Sequence, residues 1–181
     1  MEKRSSDGMI KIAVTGPEST GKSALTEALA LHFKSPFVKE YAREYLEKNG
    51  SGYMANDIEK IASVQLQLEE RASSSSDKFL FCDSDLLVCK IWLKHVFNIS
   101  IPWIDKEAAA LKYSHTFLMK YDLPWEPDPL RENPENRDYL FDLYKEELEI
   151  SGRRFSIISG KNEERTQMAI EIIHKLFPSS I

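Results

Sequence analysis

Short apolar runs alternate along this chain with stretches in which apolar residues recur every three or four positions. The first run, Met9-Ile10-Lys11-Ile12-Ala13-Val14-Thr15, is rich in β-branched residues and predicts a buried strand. Ala24, Leu25, Ala28, Leu29 and His32 then follow at helical spacing. Pro36 to Lys39 reads as a short second strand, Phe79 to Asp83 as a third, Thr116 to Met119 as a fourth and Phe155 to Ile158 as a fifth. Helices are predicted around Tyr41 to Lys48, Asp57 to Ala72, Leu86 to His95, Asp105 to Lys112 and Arg137 to Leu148. The second of these carries an apolar stripe at Ile58, Ile61, Val64 and Leu68, and a capping-box signature from Asn56 to Glu59. A final helix places Met168, Ala169, Ile172, Ile173, Leu176 and Phe177 on one face.

Five strands alternating with helices predict an α/β fold of three layers, a five-stranded parallel sheet covered by helices on both faces. Ligands in such folds bind outside the carboxyl ends of the strands. One stretch breaks the alternation. Pro124, Pro127 and Pro129 crowd the segment from Asp122 to Arg131, which cannot form regular structure. Serines 73–76 read as no more than a polar turn.

With 181 residues, the expectation is a loose polar leader over residues 1–8 and a single domain over 9–181. A formal charge of −5 argues against a nucleic-acid-binding surface but leaves a small cationic substrate open. Cys82 and Cys89 have neither the number nor the spacing for a disulfide framework or a zinc site, so a reducing cytoplasm is the expected compartment. No apolar run approaches the ~18 residues of a membrane span, and the first residues lack a signal peptide's apolar core. The pattern points to a small-molecule partner and carries no signature of oligomeric state.

Chemistry concentrates between the first strand and the first helix. Gly16-Pro17-Glu18-Ser19-Thr20-Gly21-Lys22-Ser23 fits the phosphate-binding pattern G-x-x-x-x-G-K-[ST] without a mismatch. Gly16 and Gly21 permit dihedrals that turn successive amides inward around a phosphate, and the new helix adds its positive end there. Lys22 supplies a mobile charge for the β- and γ-phosphates, and the Ser23 hydroxyl can ligate Mg²⁺. The predicted ATP site comprises Gly16, Glu18, Ser19, Thr20, Gly21, Lys22, Ser23, Leu25 and Arg137.

Asp83 ends the third strand where a magnesium-holding aspartate stands in such folds. Ser84, not Glu, follows it, so the usual water-activating arrangement of ATPases is missing. No N-K-x-D motif supports a GTPase. A small phosphotransferase is therefore the expected class. Such enzymes need a lid with arginines, and Arg131 and Arg137 lie in the right segment. The acceptor hydroxyl needs a carboxylate, for which Glu40, Glu44, Asp83 and Asp85 compete. Arg43 lies beside Glu44, and Tyr41, Tyr45, Trp92 and Trp125 offer aromatic faces.

The order of four blocks is more specific than the loop alone. Gly16 to Ser23, Glu40-Tyr41-Ala42-Arg43-Glu44, Asp83-Ser84-Asp85 and Asp122-Leu123-Pro124-Trp125 with Asp128, Leu130 and Arg131 together resemble the ribosylnicotinamide kinase domain of NadR-type NAD-biosynthesis proteins. The resemblance runs from about Ile10 to Phe177. It implies ATP- and Mg²⁺-dependent phosphorylation of the 5′-hydroxyl of nicotinamide riboside to the mononucleotide. By that likeness Lys22 and Ser23 serve ATP and the metal, and Asp83 or Asp85 handles metal and ribose. Tyr41, Arg43 and Glu44 line the acceptor side, and Arg131 is a lid arginine. Lys22, Asp83, Arg131 and Glu44 form the expected catalytic set, Glu40, Tyr41, Arg43, Asp85 and Trp125 the substrate set, and Ser23 with Asp83 the metal set. Pro129 stands where family members often carry Gly. The adenylyltransferase and DNA-binding functions of longer members are not expected of this stretch. The alternatives are a deoxynucleoside or nucleotide kinase on the same scaffold, and a nucleotide-binding regulator without catalysis.

Overall fold

β1 (Ile10–Thr15) is buried at every position, including Lys11 and Thr15, because it lies in the middle of the sheet with helices over both faces. The computed structural model describes residues 8–50, 52–76, 78–110 and 112–180. Of the leader expected at residues 1–8, all but Gly8 lies outside the described residues. The other strands are β2 (Phe37–Val38), β3 (Phe79–Asp83), β4 (His115–Met119) and β5 (Phe155–Ile158). They order as β2-β3-β1-β4-β5, and every pairing is parallel. Each crossover carries at least one helix, from α1 (Lys22–His32), α2 (Tyr41–Asn49), α3 (Ala55–Ser75), α4 (Leu86–Trp92) and α5 (Pro102–Ala109) to α6 (Arg137–Ile150), and α7 (Glu163–Leu176) follows the last strand.

Alternating side chains sort the core into two layers. Ile10, Ile12, Val14, Phe79, Phe81, Phe117 and Met119 meet α1 and α7 through Leu25, Leu29, Ala169 and Ile173. On the opposite face the buried side chains of α3 to α6, among them Ile58, Ile61, Leu87, Ile104 and Leu148, gather around Leu118. The five-stranded three-layer architecture is the one the periodicity predicts.

Several boundaries differ from the pattern. α3 runs on to Ser75 through serines read as a turn, whose hydroxyls donate to carbonyls one turn back. Three further differences have a local reason. α3 starts at Ala55, because the Asp57 carboxylate accepts the Met54 N–H at 2.8 Å; Glu59 is drawn off to the Trp103 indole N–H at 2.8 Å. α5 starts three residues earlier than predicted, at Pro102, whose fixed φ and missing N–H suit a first helical turn. α4 gives way after Trp92 to a single π turn over Leu93–Phe97, closed by Asn98 at φ 52. No described helix is long and apolar enough to cross a membrane.

Candidate active site

The β1–α1 loop is shaped by close packing from outside. Gly16 adopts φ 136, and a Cβ there would lie 3.0 Å from the Met119 carbonyl oxygen at the end of β4. Gly21 precedes α1 at φ 79, and Ser19 holds φ 55 although it is not glycine. Such alternation of backbone handedness turns amides toward one point. The Thr20 hydroxyl ties the loop to itself by donating to the Pro17 carbonyl at 2.8 Å. The Lys22 ammonium donates to the carbonyls of Gly16 at 3.0 Å and Pro17 at 2.9 Å, which parks its charge at the mouth of the loop.

Asp83 faces this loop from the end of β3, next to Ser23. Burial and the nearby Glu40 carboxylate push its pKa up to about 6, against the pull of the Ser23 hydroxyl and Lys22. Its Oδ1 is buried without a hydrogen-bond partner. The following Ser84 turns at φ 68, held by its N–H on the Val14 carbonyl and by its hydroxyl, which donates to Glu40 Oε1 at 2.9 Å. Asp85 goes elsewhere. Its carboxylate meets the Arg153 guanidinium at 2.6 Å, both side chains at most 2% exposed, and it accepts the Thr15 hydroxyl at 3.3 Å.

Residues 120–136 pass over the loop without helix or strand and form the lid. Its root is bound by Arg165 of α7, which donates to the carbonyls of Gly160, Thr20 and Lys120 and to the Asp122 carboxylate. Further along, Arg131 donates to the Glu126 carbonyl at 2.8 Å and to the Ser19 hydroxyl at 3.3 Å. Arg137 donates to the Leu123 carbonyl at 2.9 Å and the Ser19 carbonyl at 3.2 Å, and stacks over Trp125. The helical side holds the lid through Arg43 and Asp128 at 2.8 Å, the Tyr53 hydroxyl on Glu132 at 2.5 Å, and His95 beside the Asn133 side-chain oxygen at 3.2 Å. Burial and the Glu132 hydrogen bond raise the Tyr53 phenol to about 12.

Loop, α2, α4 and lid enclose a cleft of about 560 Å³. Gly16 to Ser23, Glu40, Arg43 and Arg131 all line it. Several expected residues stand apart from it. Leu25 is buried in the α1–α7 core. Glu44 lies at the surface, paired with Lys48 at 2.6 Å. Tyr41 packs edge-on against Tyr45, which itself donates to Asp57. Trp125 serves as the platform for Arg137. Asp83 and Asp85 are buried and are not among the lining residues: Asp83 sits beside Ser23, and Asp85 is committed to Arg153. Tyr53, Trp92 and His95 also line the cleft. Tyr53 meets Trp92 edge-on at 4.7 Å and accepts its indole N–H at 3.0 Å. Among these the pattern singled out Trp92 alone; Tyr53 follows the glycines at 50 and 52, the one local sign of a shaped turn.

A phosphate loop between a central parallel strand and its helix, covered by an arginine-bearing lid, defines a P-loop protein of the nucleoside- and nucleotide-kinase type of fold. The AAA domain family AAA_28 matches residues 11–165, and the chain belongs to that family. It is similar to the trifunctional NAD biosynthesis/regulator protein NadR of Escherichia coli K12, 24% identical over 172 residues, which is 91% of this chain and 42% of that protein. Its fold matches a crystal structure of NadR protein in complex with NR, with a TM-score of 0.78 at 21% identity over 94% of this chain and 52% of that one. It also matches thymidylate kinase from Ehrlichia chaffeensis, with a TM-score of 0.67 at 13% identity over 93% of this chain and 99% of that one. The chain spans less than half the length of the curated relatives it matches.

Proposed function

We propose that the protein transfers the γ-phosphoryl group of ATP to the 5′-hydroxyl of a riboside, and that the riboside is nicotinamide riboside. The observation that carries this reading is that Lys22 and the loop line the same cleft as Glu40 and the Tyr53–Trp92 wall. A phosphate donor and a flat-ringed acceptor can meet there. The likeness to NadR, including a NadR structure that holds NR, supports the choice of acceptor. The Glu40 and Glu132 carboxylates lining the cleft suit a cationic pyridinium, and face-on aromatic contact with a cation is worth about 0.5–2 kcal/mol.

In this reading the loop amides hold the β-phosphate, and Lys22 swings from the Gly16 and Pro17 carbonyls to the β- and γ-oxygens. Glu40 orients the acceptor hydroxyl. Of the four competing carboxylates it is the one that lines the cleft, since Glu44 pairs with Lys48, Asp85 with Arg153, and Asp83 is buried beside Ser23 on the metal side. Arg131 reaches the transferring group from the lid, where charge neutralisation and positioning supply most of the catalysis. The orphaned buried Oδ1 of Asp83 beside the Ser23 hydroxyl fits Mg²⁺, which Ser23 and Asp83 would hold. When bound, the ion supplies positive charge to the phosphates. Free buried Cys82 and Cys89 suit a reducing cytoplasm.

The likeness to thymidylate kinase favours a second reading, a deoxynucleoside or nucleotide kinase. One panel separates the two: ADP release from Mg-ATP with nicotinamide riboside, nicotinic acid riboside, thymidine, deoxycytidine, thymidylate or no acceptor. The proposal expects release with nicotinamide riboside and the mononucleotide by mass. Turnover confined to thymidine, deoxycytidine or thymidylate would replace the acceptor. Tight nucleotide binding without any acceptor-dependent release would overturn the kinase reading.

A further inference from the structure

The phosphate-loop motif leaves its four central positions open, and in this chain two of them carry side chains with no duty toward phosphate. Glu18 is a carboxylate, an acceptor that repels a polyphosphate and cannot hydrogen-bond to its ionised oxygens. Its Oε2 is occupied from the lid, accepting the N–H of Glu132 and the N–H of Asn133, each at 3.1 Å, and the Asn133 side-chain amide at 3.4 Å. The Ser19 hydroxyl accepts the Glu126 N–H at 2.9 Å and Arg131 at 3.3 Å, while its carbonyl accepts Arg137 at 3.2 Å. Ser19 makes these contacts from φ 55, a strained conformation for a non-glycine residue that persists where its surroundings over-determine it.

The two residues grip the lid on both sides of Arg131. Ser19 holds Glu126 and the arginine itself, and Glu18 holds the two residues that follow. We propose that Glu18 and Ser19 are positioning residues whose side chains dock the lid onto the phosphate loop and so set Arg131 against the donor's phosphates. This rests on the kinase reading above for its catalytic consequence, but not for the docking itself. The loop offers its amides to phosphate while the Glu18 and Ser19 side chains bind the lid. One short segment thereby reads both the nucleotide and the closure of the site over it.

The test combines exchange and kinetics on the full chain. Hydrogen exchange at the Glu132 and Asn133 amides is expected to speed up at least tenfold in Glu18→Ala. Glu18→Gln, which keeps a carbonyl acceptor, restores part of the protection. Loss of charge-assisted hydrogen bonds predicts a fall in kcat of about 10- to 100-fold in Glu18→Ala, with the Kd of ATP changed by less than about threefold because the loop amides are untouched. Combined with Arg131→Ala, Glu18→Ala is expected to cost little more than Arg131→Ala alone, since both act through the same guanidinium. Unchanged exchange at residues 132 and 133 would overturn the docking. Multiplying losses in the double variant, or a Kd effect without a kcat effect, would overturn the positioning of Arg131. If the parent protein turns over no acceptor, the kinase reading fails and the exchange result alone decides whether Glu18 docks the lid.

Discussion

Arg153 holds Asp85 at 2.6 Å in a site that solvent barely reaches. The guanidinium, supplied from just before β5, also donates to the Thr116 hydroxyl at 2.8 Å and lies over the Tyr113 ring at 4.7 Å. Close by, Lys11 meets the fully buried Glu69 at 2.6 Å, and Glu69 accepts the Tyr113 hydroxyl at 2.7 Å. Charges therefore run beneath the sheet's core in matched pairs. Burial of this kind is tolerated only while each partner is present.

Removing one partner should expose that dependence. Arg153→Met is expected to destabilise the fold by about 3–5 kcal/mol, because it strands the Asp85 carboxylate. Adding Asp85→Asn to it should recover a large part of the loss. Urea midpoints of the two single variants and the double variant decide this. Equal, additive losses would mean that the pair is not coupled.

Lys22→Ala should abolish phosphoryl transfer while leaving the fold intact. Loss of a charge aimed at the transferring group costs about 10²–10³-fold or more, and Lys22 contributes to the fold no more than two hydrogen bonds to its own loop. Turnover and thermal melting measured on the same preparation check both halves. Surviving turnover would remove the loop from the mechanism.

Gly16→Ala and Gly50→Ala separate strain from collision. Both glycines have positive φ, 136 and 81, but a Cβ at Gly50 meets open space and one at Gly16 meets the Met119 carbonyl at 3.0 Å. Gly50→Ala should cost about 1–3 kcal/mol from strain alone, since φ 81 with ψ 178 is a region open essentially to glycine. Gly16→Ala should cost more than Gly50→Ala, because it adds a collision with backbone to the strain, and should disable nucleotide binding as well. Denaturation midpoints and nucleotide titration measure the difference.

His115 predicts an acid-sensitive limb. The residue is buried on β4, where desolvation and Arg154 lower its pKa from 6.5 to about 4. Between those values the unfolded chain binds the proton and the folded chain does not. The folded state thus keeps this stability above pH 6.5 and loses it as the pH falls toward 4. The loss amounts to about 2 kcal/mol between pH 7 and pH 5. A His115→Gln variant should show a shallower drop over that interval in urea titrations at the two pH values. An unchanged drop would assign the acid limb to other groups.

The strands, their parallel arrangement and the phosphate loop were legible because each rests on short-range chemistry. β-branched runs fit the middle of a covered sheet, and the glycine spacing of residues 16–21 has one common use. Helix starts were less legible. Asp57 rather than Asn56 caps α3, since the choice depends on which side chain reaches the Met54 N–H. The π turn after Trp92 left no mark in the apolar period.

For the candidate site, the sequence by itself determined which residues could carry chemistry: a loop with Lys22 and Ser23, a set of carboxylates after the strands, and arginines in a proline-rich segment. It did not determine which carboxylate faces the acceptor. Glu40 and Glu44 are one helical turn apart and chemically near-equal, yet one lines the cleft and the other pairs with Lys48 at the surface. Asp85 met Arg153, 68 positions along the chain, and Glu18 met Asn133 across 115. Such pairings depend on the sheet order β2-β3-β1-β4-β5, which sets segments far apart in sequence side by side. Local pattern records what a residue can do; only the packed chain decides which partner is near enough to let it.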